Sequence, residues 1–508
     1  MRPTRWRMVA LLVLALGGTA RADDAATERI KALSSHFSFT LSDRIRGEFV
    51  DWFRPPQGVT DPGANRYNFF ANQLRFGIKS TWPHVTVYSE LQDVRLAGLP
   101  DDASLAPPQG NLGPGALYYA NTHGLDKDTS QGETILKQAY ATLADPPGVD
   151  GLALTGGRFE YSDALEVMPQ DPALQWLKKA RLGERLIGPF GYTHYGRAFD
   201  GLRLVYDQPL FNITTIAFRP THGGFEASGT REMGNVGIAG ITGTLKKIEE
   251  LAPIDVRAFY FYYQDRRFAD HTDPKNKPPI KVDNRPLPDR VADTDSLNIH
   301  TFGGHAITVI NAGPGRVDGL VWGTIQTGNW GRQNHHGWAY AVETGYQFPD
   351  QPWSPWLRAG YDYSSGDHDP TDHNHDTFFQ MIPTARIYAQ FPFYNLMNSQ
   401  DTFTQLIVKP HSRLTMRFDY HWLRLNSDKD LWYAGGGAGN DDIFGFSGIP
   451  ANSHHELAHL VDLGATLQIF KQVSAYAYYG HAFGEGVVKK TFSGNQGNYG
   501  YVELAYRY

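Results

Sequence analysis

Two stretches of this chain carry side chains of metal-binding type. "ANSHHELAH" (451–459) contains His455, Glu456 and His459 in the order H-E-x-x-H. A zinc protease needs that motif on a helix, which brings both imidazoles to one face. Here it runs into "LVDLGATLQIF" (460–470), which alternates as a strand. An extended chain holds the two histidines about 13 Å apart, so no zinc centre is expected. "SGDHDPTDHNHD" (365–376) gathers Asp367, Asp369 and Asp372 among three histidines. Carboxylate oxygens suit Ca2+, so a loop-bound Ca2+ on those three acids is the candidate, set against a plain solvated loop. No other cofactor is expected. The chain has no P-loop or Gly-x-Ser-x-Gly elbow, and nothing in it points to nucleic acid.

A larger set of charged residues shares one geometric property. Arg44, Arg46, Arg75, Lys79, Lys137, Arg203, Arg358, Arg413, Arg417 and Arg507 sit on the polar face of alternating segments. So do Glu48, Glu90, Glu343, Asp362, Asp419 and Glu503. In "FSFTLSDRIRGEFVDWF" (37–53), Phe37, Phe39, Leu41, Ile45 and Phe49 oppose Ser38, Thr40, Arg44, Arg46 and Glu48. Period two means a strand with one greasy and one charged face. The pattern recurs at 73–82, 202–206, 338–348, 356–363 and 413–422. In "NYGYVELAYRY" (498–508) it continues to the last residue, Tyr508.

What could position such strands? No run approaches the ~18 consecutive apolar residues of a membrane helix. Aromatics nevertheless make up 13% of the chain, with 27 tyrosines, as interfacial girdles require. Turn-rich stretches at 101–115, 273–290 and 435–442 alternate with tight ones such as "PDQPWSP" (349–355). Unequal connections of this kind suit an outer-membrane barrel with short periplasmic turns and long external loops. Apolar faces then meet lipid and charges line the lumen. A terminal aromatic strand is expected to pair with the first, because open edges do not exist in hydrocarbon.

Residues 1–22 read as a secretory signal peptide: Arg2, Arg5 and Arg7, the apolar run Met8 to Leu16, then Ala20-Arg21-Ala22. Its removal takes four arginines and moves the formal net charge from −6 to −10. The chain has no cysteine, so no disulfide framework supports it. Residues 23–508 carry no linker and read as one all-β transmembrane antiparallel barrel. At about 25–30 residues per strand with its connections, about 18 strands are expected. A barrel of that size leaves an aqueous channel. Its lining of more guanidinium than carboxylate groups concentrates anions, and arginine's planar fork suits carboxylates.

Several blocks resemble the alginate export family of outer-membrane barrels. They are "ILKQAYATL" (135–143), "RLIG" (185–188) leading to "GRAFDGLRLVYD" (196–207), "GYDYSSGDHDPTDHNHDTFFQMIPT" (360–384) and "RLTMRFDYHWLRLNSDKDLWY" (413–433). The chain departs from the family at "GGRFEYS" (156–162) and "PQDPALQWLKKARLG" (169–183). The resemblance implies an 18-stranded porin-like barrel in the bacterial outer membrane that exports a polyuronate through an arginine-rich constriction, with loops covering the pore. The expected activity is transport and not catalysis. Expected partners are an anionic polysaccharide, outer-membrane lipids, the barrel-assembly machinery through the C-terminal strand, and periplasmic secretion components. Two alternatives stay open on sequence: a porin importing small organic anions or sugars, and a barrel-embedded hydrolase.

Overall fold

The structure, a computed structural model, describes residues 35–508 apart from 122–126, 227–228, 230, 247–252, 269–277 and 385–389. The signal peptide expected at 1–22 lies outside the described residues. The first strands are β1 (Phe37–Asp51), β2 (Arg66–Thr81), β3 (Val85–Ala97), β4 (Ser130–Ala144), β5 (Leu152–Phe159) and β6 (Phe199–Asp207). Then come β7 (Phe211–Pro220), β8 (Val236–Leu245), β9 (Ile254–Asp265), β10 (Leu297–Ala312), β11 (Gly315–Trp330), β12 (Gln333–Gln347) and β13 (Trp356–Ser364). After the two-residue β14 (Asn374–His375) follow β15 (Ser399–His411), β16 (Leu414–Leu425), β17 (Leu431–Gly435) and β18 (Phe446–Pro450). The last are β19 (Glu456–Gln468), β20 (Val473–Gly484) and β21 (Gln496–Arg507).

Eighteen of these strands form one closed antiparallel barrel. Each pairs with the next along the chain, and β21 closes onto β1 from Ser42↔Arg507 to Asp51↔Asn498. Beyond that ladder, Leu41 and Tyr508 exchange two backbone hydrogen bonds of 3.2 and 2.8 Å. The aromatic terminal strand is therefore tied down on both sides, as its alternation predicted. β14 adds a short parallel pairing to β12, and β17 with β18 makes a separate hairpin.

The faces point as the alternation requires. Phe70, Val321, Ile325 and Val502 look outward and are each more than half exposed, while Arg46, Glu48, Glu343 and Asp362 look inward and are buried. Connections on one rim are short, such as 82–84, 208–210, 313–314 and 412–413. The opposite rim carries the long ones, including 98–129, 160–198, 365–398 and 426–455. Between 208 and 330, where alternation is weakest, Gly240 and Gly303 sit so close to neighbouring backbone that a Cβ would clash. Glycine interrupts the apolar rhythm there because strands and side chains pack too tightly for anything larger.

The long connections do not simply cover the barrel. Phe378, Phe379, Met381, Ile382, Phe391 and Phe393 come from 365–398 and are buried among inward residues of the wall. Connection 160–198 packs beside them, joined by the bridge Ile187↔Ile382 and by Gly188 N–H donating to the Ile382 carbonyl at 3.0 Å. The bore at the level of these segments is an apolar core with charged walls, where the sequence had suggested an open aqueous channel.

Candidate functional site: the wall and its inward-folded segment

Segment 160–198 hangs between two differently charged walls. Strands β1 to β4 supply donors that grip a run of its carbonyls. Arg44 donates from both terminal nitrogens, to Gly191 O and Thr193 O at 2.8 Å each. Arg46 donates to Tyr192 O at 3.0 Å, Gln73 to His194 O, and Gln92 to Tyr195 O at 3.0 Å. Lys137 Nζ takes Tyr195 O at 2.9 Å and Arg197 O at 3.0 Å. Irregular backbone inside a barrel has neither a ladder nor bulk water to satisfy it, so wall side chains must do so. Three predicted pathway cations, Arg44, Arg46 and Lys137, thus hold protein backbone.

The grip is completed by His194, which donates from Nε2 to Glu48 at 2.8 Å. Burial pushes the His194 imidazole down to about 4, which keeps it neutral. Glu48 also accepts from the Tyr499 hydroxyl at 2.6 Å, and Arg46 forks onto Glu503 at 2.7 and 2.9 Å. β1, β21 and the segment therefore share one network.

The far wall is acidic, and here the segment brings the cations. Asp171 caps helix α1 (Pro172–Leu177), accepting from Ala173 N at 2.8 Å and Leu174 N at 3.2 Å, with Pro172 in the first turn. A π-helical turn at Lys178–Leu182 continues it. Lys178, Arg181 and Arg185 follow at spacings of three and four, and all three are fully buried. Lys178 meets Asp255 at 2.7 Å, Arg181 meets Glu343 at 2.8 Å, and Arg185 meets Asp362 at 2.6 Å and Glu343 at 3.2 Å. Arg358 joins from the wall, 3.1 Å from Glu343 and 3.0 Å from Asp318. Arg181 lies over the Phe403 ring and Arg185 over the Trp322 ring, at 4.4 and 5.2 Å. The sequence reading placed Glu343, Asp362 and Arg358 inside but missed Arg181 and Arg185. The Asp-Pro start at 171–172 followed by three cations at helical spacing was the available signal.

The remaining predicted pathway residues divide. Arg75 faces the lumen, 3.0 Å from Glu160 and 3.6 Å from Glu90. Arg417 faces in and pairs with Asp419. Arg203 faces in over the Phe159 ring at 5.4 Å and has no ion pair among the described residues. Lys79 shares Arg75's face at the short-turn rim and is exposed. Arg413 is misplaced by the sequence reading: it sits in the exposed turn between β15 and β16, donating to Ile469 O at 3.4 Å, because the strand begins only at the next residue, Leu414.

The expected Ca2+ site does not assemble. Asp367, Asp369 and Asp372 each accept a backbone N–H two residues onward, at 2.9, 3.0 and 2.9 Å. They form successive local turns and not one ligand set. His455 and His459 confirm the strand reading of the H-E-x-x-H stretch: His455 precedes β19, and His459 stacks outside on Tyr420 and Trp422.

Asp367 instead locks two long connections together. Its backbone N–H donates to Asp430 at 3.0 Å, and Ser427 donates to its carbonyl at 2.7 Å. Burial raises the Asp367 carboxyl to about 7 and that of Asp430 to about 6. A raised folded-state value means stability present at low pH and lost as pH climbs through about 7. Protease nicking of 365–376 should therefore rise between about pH 4 and pH 7, by up to tenfold per unit, and level off above. Asp367→Asn should flatten that slope, and an unchanged slope would remove Asp367 as its source.

At the long-loop mouth, a cavity of about 370 Å³ is bounded by Trp52, Phe190, Arg197, Trp432 and the glycine run at 435–437. Gly437 holds a left-handed φ of 78° pressed against Met381 and Ile382, so no larger residue fits this seam.

Solved structures share this architecture at low identity. OccAB2 of Acinetobacter baumannii matches at 10% identity and a TM-score of 0.57, over 93% of this chain and 98% of that one. OccK9 (OpdG) of Pseudomonas aeruginosa matches at 10% and 0.55, over 94% and 99%. OccAB3 of Acinetobacter baumannii matches at 10% and 0.54, over 93% and 99%. These likenesses speak for the fold. No curated protein matches the sequence. The model of the family described as Alginate export matches residues 38–491, nearly the whole barrel. A closed barrel with a lipid-facing apolar band, in a chain so matched, is a porin-type channel of the bacterial outer membrane. The chain belongs to the alginate export family.

Proposed function

We propose that this channel exports an anionic polysaccharide of the alginate-like polyuronate class, which diffuses along guanidinium groups of the lumen wall. The observation that carries the reading is Arg203. It is an inward guanidinium, only partly buried, with no carboxylate partner among the described residues. Arg75 and Arg417 present partly exposed guanidinium groups to the same bore, at 16% and 19% side-chain exposure, and Lys79 stands at its short-turn end. A planar fork matches the carboxylate that every uronate residue carries. Glu160 and Glu503 interrupt the cations, which keeps each contact weak enough to release the chain. No cofactor enters this scheme.

Planar-bilayer recording tests it. The wild type should prefer anions, and mannuronate oligomers should block it at lower concentrations than neutral sugars do. Arg203→Glu should lower the anion-to-cation permeability ratio by about threefold or more. Equal block by charged and neutral oligomers would sink the polyuronate reading. Block by small carboxylates alone would move the substrate to organic anions.

A further inference from the structure

The charges of the lumen wall balance around Glu343 and do not balance on the strands beside it. Around Glu343, the three acids Asp318, Glu343 and Asp362 meet the three cations Arg181, Arg185 and Arg358. On the next strands, the buried acids Asp401, Asp419 and Asp462 meet, among the described residues, one arginine, Arg417, which pairs with Asp419, and one imidazole, His421, which pairs with Asp401. With a neutral imidazole, two negative charges among the described residues are left over in a buried place. Asp419 and Asp462 are also direct cross-strand partners, an arrangement that is destabilising for like charges unless a cation intervenes.

Between them stands His421. Its Nδ1 is 2.9 and 3.0 Å from the two oxygens of Asp401. A carboxylate only accepts, so Nδ1 carries the proton, and in the neutral imidazole that a metal ion requires Nε2 presents its lone pair. That Nε2 is buried and has no hydrogen-bond partner among the described residues, and neither has Oδ1 of Asp419. His421 and Asp419 are both fully buried. One ligand atom each from Asp419, His421 and Asp462 lies within 4.8 Å of the others, the one such set among the described residues. A carboxylate behind an imidazole whose other nitrogen faces two more carboxylates is the arrangement that orients a metal-ligating histidine.

We propose that Asp419, His421 and Asp462 bind one divalent first-row metal ion inside the barrel, with Asp401 as the positioning residue. One imidazole and two carboxylates with a fourth position open suit Zn2+. The ion supplies the two missing positive charges and joins β16 to β19. It also bears on the inward-folded connection 365–398, because Asp462 accepts the backbone N–H of Gln390 at 3.3 Å, and on β20 through the Tyr478 hydroxyl. Wall and constriction are then fastened at one point.

The test uses the whole protein in detergent, stripped with chelator and titrated with Co2+ as an optical probe. One equivalent per chain should bind, give visible d–d absorption and be displaced by equimolar Zn2+. Asp419→Asn and His421→Gln should each weaken binding by about 100-fold, and Asp401→Asn by about 10- to 100-fold. His459→Gln, on the outer wall, should bind as the wild type does. Heat-modifiable gel mobility checks that each variant is assembled; if one is not, the other two decide. Absence of a stoichiometric Co2+ species would overturn the proposal. So would binding unchanged in the assembled Asp419 and His421 variants, which would assign it to surface histidines.

Discussion

Replacing Arg181 and Arg185 together by alanine should raise single-channel conductance severalfold and make it noisy. The two guanidinium groups are the segment's hold on Glu343 and Asp362 of the acidic wall, whose side chains are at most 1% exposed. Removing one partner of a buried pair strands the other charge, at a cost of about 3–5 kcal/mol. Here Asp362 would lose both of its arginines, while Glu343 would keep only Arg358. The carbonyl grip from β1 to β4 would remain, so the segment should swing on that hinge and not detach. A companion variant separates charge stranding from lost packing. Arg181→Met and Arg185→Met combined with Glu343→Leu and Asp362→Leu should restore a quiet, low-conductance channel, since apolar replacement of a whole buried cluster is often neutral or stabilising. Equal conductance in wild type and the double alanine variant would show that these pairs do not hold the constriction.

The second large effect concerns closure. Deleting residues 498–508 removes the paired register of β21 with both β1 and β20. Two strand edges would then face hydrocarbon, where each unsatisfied backbone group costs several kcal/mol. The expected outcome is complete loss of the heat-modifiable barrel band. Tyr508→Ala alone should be mild, because its ladder contact to Leu41 runs through the backbone. An assembled barrel after the deletion would disprove closure through β21. We propose the same strand as the feature by which the assembly machinery recognises the chain; loss of crosslinking to that machinery in the deletion variant is the expected result, and unchanged crosslinking would overturn it.

How far was this legible beforehand? Period-two alternation decided the barrel. A strand in lipid must turn alternate side chains to opposite media, and this leaves a record in every segment such as 37–53. It decided which way Arg44, Arg75, Arg203, Glu343 and Asp419 face, and it failed at Arg413, where a turn begins. The H-E-x-x-H stretch was correctly read as strand for the same reason.

What each inward charge meets was not legible. Arg46 and Lys137 were expected to face a solute and instead hold carbonyls of residues more than fifty positions away. Arg181, in the π-helical turn, and Arg185, just beyond it, carry no strand pattern and supply counter-charges of the acidic wall. The acids at 367, 369 and 372 looked like a ligand set because they are close in sequence, yet each turns onto its own backbone. Asp419, His421 and Asp462 converge across two strands with no motif to mark them. The sequence by itself determined sheet, faces and compartment, because these follow from local periodicity imposed by the solvent on each side. Only the tertiary structure decided the partners, because ion pairing inside a barrel depends on strand register and on where a long loop folds back, and neither leaves a periodic trace.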